Sequence, residues 1–273
     1  MSADTLLEPL NRLAKDIKAA AKSLTVDQAR YLVDAYYSMQ GDRIGASNQA
    51  GALEKTGEPH EAIDWLKANS GILERNVASI LDAYSVTRRE GRWARSQIGV
   101  GPVLTAGLLA HIDIERAKTA GQVWRFAGLD PTVKWEKGQK RPWNARLKVL
   151  CWKLGESFKK TSGHAESIYG KVYQERKALE VSRNLAGTFA DQAAATLEAK
   201  KIRDKATRAK YDAGLLPDGR LDLRAMRYAV KLFLSHYHHV AYEVRFNESP
   251  PKPYILTRPE HAHFIAPPGW PCE

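Results

Sequence analysis

Leu6, Leu10, Leu13 and Ile17 recur at steps of three and four residues, and a second run from Thr25 carries Ala29, Leu32, Val33 and Tyr36 at similar spacing. That period sets apolar side chains on one face of a helix. Glycines at 41, 45, 51 and 57 interrupt the pattern, since each costs a helix interior about 1 kcal/mol relative to alanine. A short helix over 50–55 and a linker or sharp break near Gly57-Glu58-Pro59 are expected there. Ile63, Leu66, Ser70, Leu73, Val77, Ile80 and Tyr84 then form a heptad-like seam, which needs a partner. The partner is either another helix of the same chain or the same helix of a second subunit, which would make a homo-oligomer.

Further along, Leu147, Leu150, Cys151, Leu154 and Phe158 give 144–160 an apolar face opposite a basic one. From 168 to 211 the pattern stays helical but turns polar, with an Ala-rich centre, which suits a protruding or oligomerising arm. The stretch 221–242 reads as an apolar helix ending in aromatics and histidines and packed into the body. Pro250, Pro251, Pro253, Pro259, Pro267, Pro268 and Pro271 exclude a regular helix at the end, leaving an extended tail that lies on the domain. The expected fold is all-α. It divides into a helical N-terminal module (1–58), a coiled-coil-like helix (59–90), a central domain (91–165), a helical arm with a packing helix (166–246) and a proline-rich tail (247–273).

With 273 residues, 44% of them hydrophobic, the chain can bury a core of one or two domains. No apolar run approaches a membrane span and no signal-peptide pattern opens the chain, so no membrane association and a cytoplasmic location are expected. Cys151 and Cys272 have neither disulfide-framework nor metal-ligand spacing. The net charge of +11 is unevenly placed: 1–90 holds eleven basic residues against thirteen acidic ones, whereas 131–160 holds nine against two. Such a concentration attracts a phosphate backbone and releases its counterions, if it is not simply a solvated face.

In Ile98-Gly99-Val100-Gly101-Pro102-Val103-Leu104-Thr105-Ala106, two glycines flank one apolar residue and proline opens a helix, where no N–H is needed. Glycines let the backbone approach an anion, and the free amides from Val103 onward add the positive end of the helix dipole. Gly99, Val100, Gly101, Val103 and Thr105 are therefore candidate phosphate contacts, which hold a duplex without reading its bases. The structural alternative is a helix-helix turn in which the glycines serve only as caps.

Gly99-Val-Gly-Pro-Val-Leu-Thr-Ala-Gly-Leu-Leu-Ala-His-Ile112, followed by Phe126-Ala-Gly-Leu-Asp-Pro131, resembles the C-terminal helix-hairpin-helix domain of the DEDD-type insertion-sequence transposases, the IS-one-ten family. The resemblance covers roughly the middle third of the chain and implies DNA handling by a mobile-element or phage protein. In that family a helical coiled segment precedes the hairpin, as the 63–84 helix does here. Two features depart from the family. No strand pattern of a RuvC-like nuclease precedes the hairpin, and where the family places a nucleophilic serine, 131–144 offers only Thr132, with Ser157 too late. No catalytic residue is assigned, and the resemblance implies binding rather than cutting.

Within Lys134-Trp135-Glu136-Lys137-Gly138-Gln139-Lys140-Arg141-Pro142-Trp143-Asn144-Ala145-Arg146, cations and aromatics interleave around glycine and proline. Lys134, Lys137, Lys140, Arg141, Arg146 and Lys148 are candidate phosphate contacts. Trp143 would stack on a base or wedge into a base step, or else pack the loop, as would Trp135. His236, His239, His261 and His263 are weak metal candidates in no strong ligand spacing, and neither metal nor cofactor is expected. The resulting expectation is a DNA-binding protein gripping backbone with little sequence preference. The alternatives are a divergent transposase or recombinase, and an oligomeric scaffold.

Overall fold

The computed structural model describes residues 15–252 and 264–271, so Leu6, Leu10, Leu13, Pro253 and Pro259 lie outside the described residues. A short helix α1 (Lys15–Ala20) and a 3-10 turn (Ala21–Ser23) lead to Thr25. Thr25 starts α2 (Val26–Thr56) with a capping box: its hydroxyl accepts from Gln28 N at 3.2 Å while Gln28 Oε1 accepts from Thr25 N at 2.9 Å. Helix α2 runs unbroken through Gly41, Gly45 and Gly51, so the interruption expected there does not occur. A Cβ at any of the three would meet nothing within 4 Å, which means that packing does not demand glycine. The local cost is overcome by the lateral packing of α2 on α3 (Glu61–Ser85). The chain turns only at Gly57, which caps α2 in the left-handed region at φ 77°, with Glu58 N donating to Leu53 O at 2.9 Å.

Helix α3 thus finds a partner in its own chain. Glu74, buried beside the expected seam, accepts from Gln40 at 3.0 Å and from Arg43 of α2, while Leu66 and Leu73 of that seam stay exposed. After α4 (Arg89–Ser96), helix α5 (Pro102–His111) lies against α2 and α3 and is buried from Val103 to His111. It is apolar all round, as suits a helix enclosed by neighbours. Arg30 of α2 ties down its last turn through Ala110 O at 2.6 Å. Gly91 lets α4 pack closely: a Cβ there would stand 2.0 Å from Ser85 O and 3.1 Å from Leu109 Cδ1. These helices form one compact unit, up to Arg95 together with Gly101–Asp113.

The second unit comprises Ser96–Val100 and the chain from Ile114 onward. It contains α6 (Ala120–Phe126), α7 (Ala145–Lys160), α8 (Ile168–Leu185), α9 (Ala190–Ala199), α10 (Lys205–Asp212) and α11 (Asp218–Phe246). Helix α11 is its spine and packs on α6, α7 and α8. At the centre, the rings of Phe158, Tyr169 and Phe233 meet at 5.0 to 5.6 Å. Gly155 lets α7 settle on α11, since a Cβ there would lie 3.0 Å from Met226 Cε and 3.4 Å from Val230 Cγ2. Helices α9 and α10 form a smaller core of Phe189, Ala193 and Tyr211 with Leu216 and Leu221. Of the tail, Trp270 donates to Glu243 at 2.6 Å. The described residues form eleven α-helices and no strand, an all-α fold. No helix among them is long and apolar enough to cross a membrane.

Candidate nucleic-acid interface

The hairpin loop between α4 and α5 is divided between the units, with Gly99 and Val100 in the second and Gly101 onward in the first. Gly99 has φ 93°, and a Cβ there would stand 3.0 Å from Thr161 Oγ1, 3.3 Å from Phe158 Cδ1 and 3.4 Å from Ser157 Oγ. Ser157 Oγ also donates to Gly99 O at 2.6 Å. The room that this glycine creates is taken up by the end of α7. Val100 is buried and its N–H donates to Gln97 O at 2.9 Å. Gly101 differs, because a Cβ there would meet nothing within 4 Å, and it caps α5 without a side-chain hydrogen bond, with proline at the first turn. The Val103 and Thr105 side chains are buried, and both Oγ1 and N of Thr105 donate to Gly101 O, at 3.1 and 3.0 Å, so Thr105 has neither its hydroxyl nor its N–H left for a phosphate, contrary to the expectation from the sequence.

The basic loop is closed at its base by Asn144 N donating to Phe126 O at 2.8 Å. Asn144 then caps α7 through Leu147 N at 3.0 Å. Inside the loop the two tryptophans form a frame, edge to face at 6.3 Å between centroids, with Trp135 Nε1 donating to Gln139 O at 2.8 Å. Trp143 rests on Gly128, where φ is 68° and a Cβ would stand 2.9 Å from Trp143 Cγ. The frame also carries cations: Lys148 Nζ lies 4.0 Å from the Trp143 ring centroid and the Arg141 guanidinium 5.4 Å from that of Trp135. Lys134, Lys137, Lys140, Arg141, Arg146 and Lys148 are all exposed. Val149 and Trp152 join them on the outer face of α7, 52% and 54% exposed. Sequence reasoning passed over both, although they fall outside the apolar face of α7.

Gly99 and this loop stand at opposite ends of α7. From Asn144 to Ser157 the helix rises about 20 Å, at 1.5 Å per residue. One phosphate therefore cannot touch both, and a duplex spanning them would run for about six base pairs at 3.4 Å each.

Residues 92–147 match the transposase IS116/IS110/IS902 family. No curated protein and no solved structure matches the chain. The matched segment takes in the end of α4, the hairpin loop, α5, α6, the basic loop and the first turn of α7. Two hydroxyls, one inside the matched segment and one beyond it, are already engaged. Thr132 Oγ1 and N donate to Asp130 Oδ1 at 2.7 and 2.9 Å, an Asx-type turn, and Ser157 holds Gly99 as described.

Of the candidate histidines, His236 and His239 are held by protein groups. His236 uses both ring nitrogens, Nδ1 with Tyr169 Oη at 2.8 Å and Nε2 with Ile265 O at 2.9 Å, and burial pushes its pKa down to about 4. His239 lies 3.0 Å from Glu243 Oε1. His261 and His263 lie outside the described residues, and among the described ones no group of three or more potential ligands gathers. Cys151 is buried in α7, which pushes its thiol up to about 12 and away from the reactive thiolate.

Proposed function

We propose that the chain is a DNA-binding protein of a transposition system that grips the phosphate backbone with little sequence preference, chiefly through the loop 134–146 and Lys148. One observation carries this reading: the cations of the loop are exposed, Arg141 and Lys148 lie over the tryptophan frame, and no ion pair occupies Lys134, Lys137, Lys140, Arg141 or Lys148 among the described residues. Unpaired cations on a rigid frame hold phosphates at low entropic cost, and counterion release drives the association. The backbone at Gly101 and Val103 supplies a further contact of the same sequence-independent kind. Trp143, half-buried between Gly128 and Lys148, serves mainly to orient the cations.

The test is a gel shift on random-sequence duplex over a salt series. Wild type should bind with a steep salt dependence, and Lys137→Glu, Lys140→Glu and Arg141→Glu together should abolish retention with circular dichroism unchanged. Binding unaltered by the triple replacement, or absent in wild type, rejects the reading; the latter favours a scaffold. The transposase match favours a second reading, a recombinase that acts with an unrecognised nucleophile or a partner nuclease. Incubation with supercoiled plasmid and divalent metal separates the two, because a binder shifts the plasmid and leaves it uncut.

A further inference from the structure

The cations of the second unit fall into two groups. Glu180, whose side chain is 0% exposed, lies 2.6 Å from Arg176 and 2.6 Å from Arg224. Asp222 lies 2.6 Å from Lys159 and 3.0 Å from Lys177, and accepts from Tyr173. Each of those cations has an acid partner, one carboxylate to two cations. Lys148, Arg141 and Arg227 have no carboxylate partner among the described residues, and the charges of Arg227 and Arg141 both act on Lys148. Lys148 is held below its ordinary basicity by partial desolvation and by Arg227 and Arg141; Arg227 is lowered by desolvation and by Arg224 and Arg220.

The helices explain this crowding. Arg220, Arg224, Arg227 and Lys231 follow at steps of four, three and four, one stripe along α11. Gly155 brings α7 down on α11 beside Met226 and Val230, and at the start of the same helix the Lys148 side chain lies against Gly128. Trp124 of α6 donates to Lys231 O at 3.0 Å with the Lys231 ammonium 4.2 Å from its ring centroid, so the root of the basic loop is fastened to the same stripe. Arg224 is spent on Glu180, while Arg220 and Arg227 are exposed. A folded protein that sets like charges side by side without acids lowers its own stability, and a polyanion reverses that cost.

We propose that Arg220 and Arg227 of α11 join Lys148 and Arg141 in a second polyphosphate seat, along which a DNA backbone leaving the tryptophan loop continues onto α11. This rests on the DNA-binding reading above and extends the interface beyond the matched segment. Fluorescence anisotropy of the full chain on labelled random-sequence duplex, from about 50 to 200 mM salt, tests it. Arg220→Gln with Arg227→Gln should lower the slope of log affinity against log salt by about two and weaken binding on the order of tenfold per lost contact at 0.1 M salt. Arg220→Lys with Arg227→Lys should keep the slope, and Lys177→Gln, taken from the acid-paired group, should leave it unchanged. Wild-type slope and affinity in the glutamine pair, with binding lost in the Lys137/Lys140/Arg141 variant, overturns this seat alone. No salt-dependent binding by wild type overturns the functional reading and the seat with it. A thermal melt of each variant confirms that the fold persists.

Discussion

Two clusters of cations lie on the same helices of the second unit and differ in what stands opposite them. Around Glu180 and Asp222, Arg176, Arg224, Lys159 and Lys177 each have an acid within 3.0 Å. Around Lys148 and Arg227 no acid pairs with them among the described residues. The first cluster holds α7, α8 and α11 together; the second rests on rings and a carbonyl rather than on acids, and its like charges carry an electrostatic cost. Charge count alone cannot tell the two apart, because both are rich in Lys and Arg. Only the pairing does.

The largest effect that would sharpen the contrast is expected at Glu180. Glu180→Gln leaves Arg176 and Arg224 without their shared acid and should cost about 3 kcal/mol in denaturant unfolding, the range for breaking a buried pair; a loss near zero would dissolve the distinction. Next comes Gly128→Ala, expected to cost about 2 kcal/mol, because alanine is strained at φ 68° and its Cβ meets Trp143. Here DNA affinity should fall as well, since the tryptophan frame moves.

A third effect concerns pH. Burial works to raise the Asp222 carboxyl, but hydrogen bonds from Lys159, Tyr173 and Lys177 outweigh it and bring its pKa from 3.8 to about 2. The folded value is depressed, so the stabilisation is fully present above about pH 4 and is lost as pH falls through 2. Asp222→Asn should flatten that part of an acid denaturation curve, whereas DNA binding through Lys and Arg should not change between about pH 5 and 8. The smallest effect is at Lys148: Lys148→Gln should shift stability by less than about 0.5 kcal/mol, upward, and most visibly at low salt. A substantial loss would mean that Lys148 belongs with the structural cluster.

Much of the fold was legible because the signals were local. Asn144 before an apolar 3.6 period marks the start of α7, Pro102 after Gly101 marks that of α5, and the 63–84 seam lies within α3. The uninterrupted α2 was hidden, because glycines at 41, 45 and 51 argue for a break and the packing on α3 that overrides them is not local. The loop 134–146 could be read from composition alone. The stripe on α11 could not: its arginines sit in a helix whose dominant pattern is apolar, and the packing of α7 on α11 at Gly155 is not local. In the hairpin the glycine pair was visible, but the sequence does not show that α7 fills the space at Gly99 while Gly101 stays open. His236 and His239 share a helix face as their spacing implied, yet Tyr169, Ile265 and Glu243 already engage them.

The unpaired cations of Lys148 and Arg227 also bear on how long the protein survives. A fold that repels itself when bare and is relieved by a polyanion populates its open, protease-sensitive form less when occupied. Limited proteolysis should therefore run more slowly with added duplex than without it, and the difference should shrink as salt supplies the screening instead. On the proposed DNA-binding reading, copies of the chain without nucleic acid would be cleared first, coupling the abundance of the protein to its occupancy.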